Sequence, residues 1–294
     1  MNFIRKLASL QERVNAALDR RLPPHGTRPA QLHEAIRHSI GVGGKRLRPI
    51  LLFAAHELFP VENDPMPAAV AVEFLHTYSL IHDDLPVMDD SDIRRGQPAC
   101  HKAFDEVTAI LAGDALLAMA FEVLAVDYAS QPNLVARLVR VLAVAAGSEK
   151  LVGGQMEDLM AEGSSPDPEI LAYVHENKTA ALLAACVEMG LIIGQKAEDE
   201  DVLALGRRMG MSLGLAFQAV DDLLDATRTT EELGKNAGSD ADRGKVTSVA
   251  LQGLEETRAL AARHTEDALA AARELGGENT FLLDLITHLL ERDK

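Results

Sequence analysis

Apolar residues recur at helical spacing along almost the whole chain, and in several stretches they occupy every side of the projected helix. A helix that is apolar all round has to lie inside a larger assembly of helices. The stretch 3–22 is amphipathic, with Ile4, Leu7, Leu10, Val14 and Leu18 on one side, and Pro23-Pro24 ends it. A second helix is expected from near Pro29 to Gly41, a proline start and a glycine stop. Pro49 suits the first turn of "ILLFAAHELF", and Pro65 and Pro67 precede "AAVAVEFLHTYSLIHDD". Long Ala- and Leu-rich stretches follow at 104–128, 133–160, 168–195 and 199–226, separated by breaks such as "SQPN" and "GSSPDP". The polar loop "TEELGKNAGSDADRGK" then precedes two or three terminal helices. With no repeat, low-complexity tract or long linker, the expectation is one all-α domain over 1–294.

Composition points the same way. Aromatics are 4% and Trp is absent, while 47% of residues are apolar, which favours helices over strands. A net charge of −16 argues against a nucleic-acid partner or an anionic membrane surface. An anionic ligand would therefore need a local basic pocket or bridging cations. Two cysteines, Cys100 and Cys186, make no disulfide framework and fit a reducing compartment. The first residues lack the features of a signal or transit peptide. No apolar run approaches the roughly 18 residues needed to cross a bilayer. The expected setting is cytoplasmic, with no membrane span.

Two acidic clusters carry the chemistry. In "QAVDDLLD", Asp221 and Asp225 are four residues apart and thus about 40° from one another, on one helix face. In "HDDLPVMDDSDIRRG", Asp83 and Asp89 would lie about 120° apart on a straight helix. Pro86 lacks an amide proton and drives Leu85 out of the helical region. The helix is therefore predicted to end near Asp84, and the chain can fold Asp89 back toward Asp83. Either cluster alone is compatible with a solvated acidic loop or a weak Ca²⁺ site, although neither has the spacing of an EF-hand loop. Two carboxylate clusters at helix C-termini, where the helix dipole disfavours anions, call for a compensating cation, and Mg²⁺ suits sparse carboxylates.

Basic residues accompany both clusters. Lys45, Arg46 and Arg48 follow the glycine-rich "GVGG"; Arg94 and Arg95 follow the first cluster; Lys235 and Lys245 follow the second. Lys178 and Thr179 interrupt an otherwise small, apolar helix face. Arginine forks match phosphate and diphosphate oxygens. A lone "RR" or "KR" would equally suit a solvated surface. No nucleotide-binding glycine fingerprint is present.

In order along the chain, "GGKRLRP", "DDLPVMD" with "RRG", "GGQMEDL", "KT", "FQAVDDLLD" and "GKNAGSD…GK" make the sequence resemble the trans-isoprenyl diphosphate synthases. The resemblance covers nearly the full length. It implies ten or so helices around a deep central cavity, and a homodimer. It also implies condensation of isopentenyl diphosphate with allylic diphosphates, dependent on about three Mg²⁺. Asp83, Asp89, Asp221 and Asp225 are then the expected metal ligands, with Asp84 and Asp222 in support. Arg94, Lys178 and Lys235 are expected on the allylic diphosphate, and Thr179 and Gln218 near the allylic cation. Lys45, Arg48, His76 and Arg95 are expected on isopentenyl diphosphate. Without the resemblance, His76 would read as a core histidine. Lys245 belongs with the closing segment. Many relatives continue that last lysine with Thr-Tyr-Pro, whereas this chain has "KVTSVAL". The substitution leaves the metal-ligand set intact and bears on how the segment packs.

Product length is read from the helix entering the first cluster. Tyr78 is five residues before Asp83, about 7.5 Å down the axis, and Ser79 is four before it on nearly the same face. An aromatic ring there would floor a growing chain; equally, Tyr78 could simply pack in the core. The resemblance points to the bacterial farnesyl type, with a geranylgeranyl product as the alternative. A partner subunit that keeps the fold without the activity is the competing reading from another class, weakened because both aspartate clusters and the basic residues are intact. A terpene cyclase would not need the second basic set.

Overall fold

The computed structural model describes residues 2–59, 63–165, 167–196, 198–227, 244–276 and 279–290. Among them the chain is built from α-helices and one two-stranded hairpin, the all-α class that the periodicity predicts. Lys235 lies outside the described residues. Packing divides the chain into one unit of Met1–Ile50 and Asp64–Val139, and another of Leu51–Asn63 and Arg140–Lys294.

The first unit holds α1 (Phe3–Arg21), α2 (Ala30–Gly41), the start of α3 (Leu47–His56) and α4 (Met66–Asp83). The hairpin β1 (Ile93–Arg94) and β2 (Gln97–Pro98) follows, then α5 (Cys100–Ala103), α6 (Glu106–Asp127) and the start of α7 (Pro132–Ala146). Asn2 caps α1 by accepting the Ile4 amide at 3.1 Å, and Asp105 caps α6 by accepting that of Thr108 at 2.8 Å. Ala68, Ala69, Val72, Phe74 and Leu75 in the body of α4 are fully buried. The helix packs chiefly on α6. A Cβ at Gly113 of α6 would lie 2.2 Å from His82 Nε2, so any larger residue there would force the histidine ring to move.

The second unit holds the rest of α3 and α7, then α8 (Leu151–Met160), α9 (Pro168–Val174), α10 (Ala181–Leu191), α11 (Glu200–Thr227), α12 (Ser248–Gly276) and α13 (Thr280–Leu290). Between α9 and α10 the helix widens into a π turn, His175–Ala180, and a second π segment, Ile192–Lys196, follows α10. α11 packs on α10 and α12. Two glycines on one face of α11 bring the backbones close: a Cβ at Gly210 would sit 2.4 Å from Ala184 Cα, and one at Gly214 2.4 Å from Ala180 Cα. Gln218 and Asp222 continue that face at successive steps of four, so the same close approach that needs glycine delivers polar side chains further along.

Several boundaries differ from the sequence expectation. The stretch 133–160 is broken at residues 147–150, where Gly147 follows the end of α7. α3 begins two residues before Pro49, which places the proline inside the first turn. The hairpin has no apolar alternation to announce it. Glu106–Asp127 and Pro168–Gly194 are long and apolar enough to cross a bilayer by length and composition, although neither is an unbroken apolar run. In Pro168–Gly194, 78% of the apolar window is buried, the mark of a core helix, whereas in α6 only 39% is. Charged residues spaced along these helices hid them from a search for unbroken apolar runs.

Candidate active site

Within the first unit, Pro86 has the consequence that its chemistry requires. α4 ends at Asp83, and the amide of Asp84 turns back to Leu80 O at 3.1 Å. The Asp89 amide then donates to Asp83 O at 2.8 Å, and Ser91 N to Asp84 O at 3.1 Å. Asp90 takes φ +44°, the left-handed region, to close the turn. Asp83 and Asp89 are thus tied together through the backbone.

Asp84 has a different partner. It is 2% exposed, and Arg94 Nε reaches both of its carboxylate oxygens at 3.1 Å while Nη2 pairs with Oδ1. Burial pushes the Asp84 carboxyl up, against the opposing pull of Arg94. Burial also disfavours the Arg94 charge, but Asp84, and behind it Asp83 and Asp89, more than restore it. Arg95 and Gly96 both have positive φ, +53° and +75°, as a two-residue primed hairpin turn requires. Neighbours in sequence therefore separate in space. Arg94 stays on the strand facing Asp84, while Arg95 Nη1 donates to Gly43 O. A Cβ at Gly44 would meet the Arg95 guanidinium at 2.5 Å.

The three basic residues after the glycines also divide. Lys45 is exposed. Arg46, at φ +48°, turns inward: it pairs with Glu73 at 2.6 Å, donates to Asn15 Oδ1 at 2.8 Å and Ile40 O at 2.6 Å, and is 3% exposed. Arg48 Nη1 lies 3.0 Å from His76 Nε2. Burial, then the charges of Arg48, Arg95, Arg94 and Arg46, hold His76 well below the usual histidine value, so its ring accepts from Arg48. Tyr78 is buried and meets His82 edge-on, ring centroids 5.3 Å apart at 83°. The Ser79 hydroxyl donates to His76 O at 2.9 Å.

Within the second unit, Lys178 and Thr179 lie in the π turn. The extra residue in such a turn shifts side chains out of helical register, and such turns frequently mark functional sites. Gly154 of α8 makes room: its Cβ would be 2.4 Å from Lys178 N. Lys178 Nζ donates to Asp158 Oδ2 at 2.6 Å and Lys245 Nζ to the same oxygen at 2.9 Å. Burial would raise Asp158, but the two lysine charges outweigh it and hold the carboxyl below its ordinary value.

A second chain of bonds runs from Thr179 Oγ1 to Gln218 Oε1 at 3.0 Å, and from Gln218 Nε2 to Asp222 Oδ1 at 3.1 Å. The Ser248 amide donates to Asp222 Oδ2 at 2.7 Å. His175 Nε2 is 3.6 Å from that oxygen, yet burial pulls His175 down to about 4, so at neutral pH the contact is not an ion pair. Asp221 is half-buried and Asp225 buried, one turn apart on α11.

Each cluster therefore has a middle aspartate turned into the protein, Asp84 to Arg94 and Asp222 to Gln218 and Ser248. Sequence reasoning could rank these aspartates below their neighbours but could not identify those partners. It assigned no role to Asp158, although the "GGQMEDL" motif contains it. The usable signal was an adjacent acid pair, Glu157 and Asp158, on a short helix beside two glycines, with lysines elsewhere in need of a counter-charge.

The fold is that of the isoprenoid synthases. An FPP/GFPP synthase from Zymomonas mobilis superposes with a TM-score of 0.86 at 36% identity, over 98% of this chain and 99% of that one. A geranyltransferase from Helicobacter pylori, complexed with magnesium and isoprenyl diphosphate, gives 0.86 at 32% identity, over 99% and 97%. Geranylgeranyl pyrophosphate synthase 7, chloroplastic, of Arabidopsis thaliana is 48% identical over 259 residues, 87% of this chain and 74% of that protein. The polyprenyl synthetase family matches residues 29–277, and the chain belongs to that family. It is a prenyltransferase that elongates prenyl chains head to tail.

Proposed function

We propose that the chain condenses isopentenyl diphosphate with dimethylallyl diphosphate, and then with geranyl diphosphate, to give farnesyl diphosphate and inorganic diphosphate. The observation that carries the farnesyl length is the buried Tyr78 on α4, five residues before Asp83 and so about 7.5 Å down the axis. A rigid ring at that depth is a floor for a growing hydrocarbon.

The donor set fits Mg²⁺. Asp83 and Asp89, joined by the 2.8 Å backbone bond, and Asp221 and Asp225, one turn apart, offer hard carboxylate oxygens. Mg²⁺ would supply positive charge to the departing diphosphate. In this reading about three ions serve the allylic diphosphate, as in the sequence resemblance. Arg94, fixed by Asp84, and Lys178, fixed by Asp158, bind and orient the allylic diphosphate, and Lys235 joins them. Thr179 and Gln218, hydrogen-bonded to each other, present oxygen dipoles to the allylic cation. Lys45, Arg48, His76 and Arg95 hold isopentenyl diphosphate without metal, with His76 kept neutral so that it holds Arg48. The double bond of isopentenyl diphosphate attacks the cation, and a proton then leaves to the released diphosphate. Lys245 closes over Asp158. Pairing as a homodimer is supported by the apolar outer side of α6, where Val107, Ile110, Leu111 and Val126 are exposed.

A geranylgeranyl product is the second reading, favoured by the Arabidopsis geranylgeranyl pyrophosphate synthases at 46–48% identity. Incubation of the purified chain with dimethylallyl and isopentenyl diphosphates and Mg²⁺, followed by chromatography of the dephosphorylated alcohols, separates the two. Farnesol as the end product supports the proposal. Geranylgeraniol replaces it with the second reading, and no product overturns both.

A further inference from the structure

We propose that Asp90, Asp92 and His101 form a separate divalent-cation site that takes a transition ion of the Zn²⁺ type. These three residues lie outside the expected metal-ligand set, and their ligand atoms all fall within 4.8 Å of one another. Acidic side chains at a surface are common without an ion; His101 is what makes this cluster different. It is 7% exposed, and neither Nδ1 nor Nε2 has a hydrogen-bond partner among the described residues. A buried polar group without a partner is costly, and an imidazole nitrogen directed at two carboxylates recovers that cost by ligating a metal. Two carboxylates plus imidazole favour Zn²⁺ or its transition-metal neighbours over Mg²⁺, which prefers oxygen alone. Ligands of a tetrahedral ion stand roughly 3.3 Å apart, so side-chain rotations that draw the three groups closer by about 1.5 Å close the site.

The backbone already draws the cluster together. The Asp90 amide donates to Leu85 O at 3.0 Å, and Asp92 O accepts the Ala99 amide at 2.9 Å, two residues before His101 on α5. Lys102 Nζ currently holds Asp92 Oδ1 at 2.8 Å. Its side chain is 42% exposed, so it can swing into solvent, and the carboxylate has a second oxygen to offer. An ion here would staple residue 90 to residue 101 and so fix the hairpin between them, which carries Arg94 and Arg95. The ion would then position those guanidinium groups without touching substrate, a consequence that rests on the proposed function; the binding itself does not.

The test uses the full chain stripped of metal with chelator and titrated with Co²⁺ in millimolar Mg²⁺, without any diphosphate, so that a chain failing to condense substrates still gives an answer. Retained Co²⁺ is counted by equilibrium dialysis, and its imidazole ligation is read from visible absorption. The expected result is one retained Co²⁺ in the wild type and in Asp83→Asn, lost in both Asp92→Asn and His101→Gln. Asp92 is exposed, so Asp92→Asn keeps the fold and decides the matter even where His101→Gln does not fold. Retention of Co²⁺ by Asp92→Asn, its loss in Asp83→Asn, or no Co²⁺ held by the wild type each overturns the proposal.

Discussion

The amide of Asp89 donates to the carbonyl of Asp83 at 2.8 Å, closing a loop across Pro86 that two aspartates six apart on a helix could not make. Their juxtaposition is thus a backbone property, independent of the side chains' charge. Asp83→Ala is expected to leave the melting temperature within a few degrees of wild type while lowering kcat by about 100-fold or more, as loss of a charge-stabilising group does. Asp221→Ala is expected to behave alike. Steady-state kinetics with Mg²⁺ beside thermal melts check both; near-normal turnover in either removes that residue from the metal set.

Replacing Tyr78 by Ala opens α4 below Asp83 and also removes the edge-on partner of His82. The expected outcome is a shift of end product by at least one isoprene unit. An unchanged product distribution, read by chromatography, would mean another side chain forms the floor.

Gly154→Ala tests the π turn. The added Cβ would stand 2.4 Å from Lys178 N and 2.8 Å from Lys178 Cα, both backbone atoms that cannot step aside. Activity is expected to fall by about 10-fold or more, in line with misplacement of a substrate-positioning group. An active enzyme with wild-type KM for the allylic diphosphate would show that Lys178 needs no such seat.

Asp158 gives a pH signature. Its folded value lies below the unfolded one, so the aspartate contributes stability above the ordinary value near 3.8 and loses it as the pH falls through the folded value. The stability gap between wild type and Asp158→Asn is therefore expected to be open at neutral pH and to close in acid below the ordinary aspartate range. Denaturant melts across that range measure it, and a gap independent of pH contradicts the lysine pairing. His76 has the same sign for a different reason: a ring held neutral by burial must charge on unfolding. Stability is thus expected to fall as pH drops below about 6.5, and to fall less in His76→Gln.

Glu73 separates structure from binding. It is 1% exposed and pairs with Arg46, which no ligand needs to reach. Glu73→Ala is expected to destabilise the fold by about 3–5 kcal/mol, because it leaves a buried guanidinium without its counter-charge. Urea melts check the magnitude; a change under about 1 kcal/mol would show that Arg46 is solvated.

The sequence alone determined the helical class, because apolar periodicity and proline and glycine placement are local properties. It also determined the break at Pro86, since a missing amide proton ends a helix wherever the chain later packs. The order of the aspartate and lysine motifs was likewise visible, and with it the chemistry. What tertiary structure decided was which of two neighbouring, chemically identical groups faces inward. Arg46 turns to Glu73 while Arg48 turns to His76; Asp84 goes to Arg94 while Asp83 meets Asp89 through the backbone. Neither choice follows from residue type, because each depends on partners six to 28 residues away and on single left-handed or primed-turn dihedrals. The π turn under Lys178 and the shared oxygen of Asp158 belong to the same group. A one-residue widening of a helix has no apolar pattern of its own, and a counter-ion for two distant lysines exists only once the helices have packed.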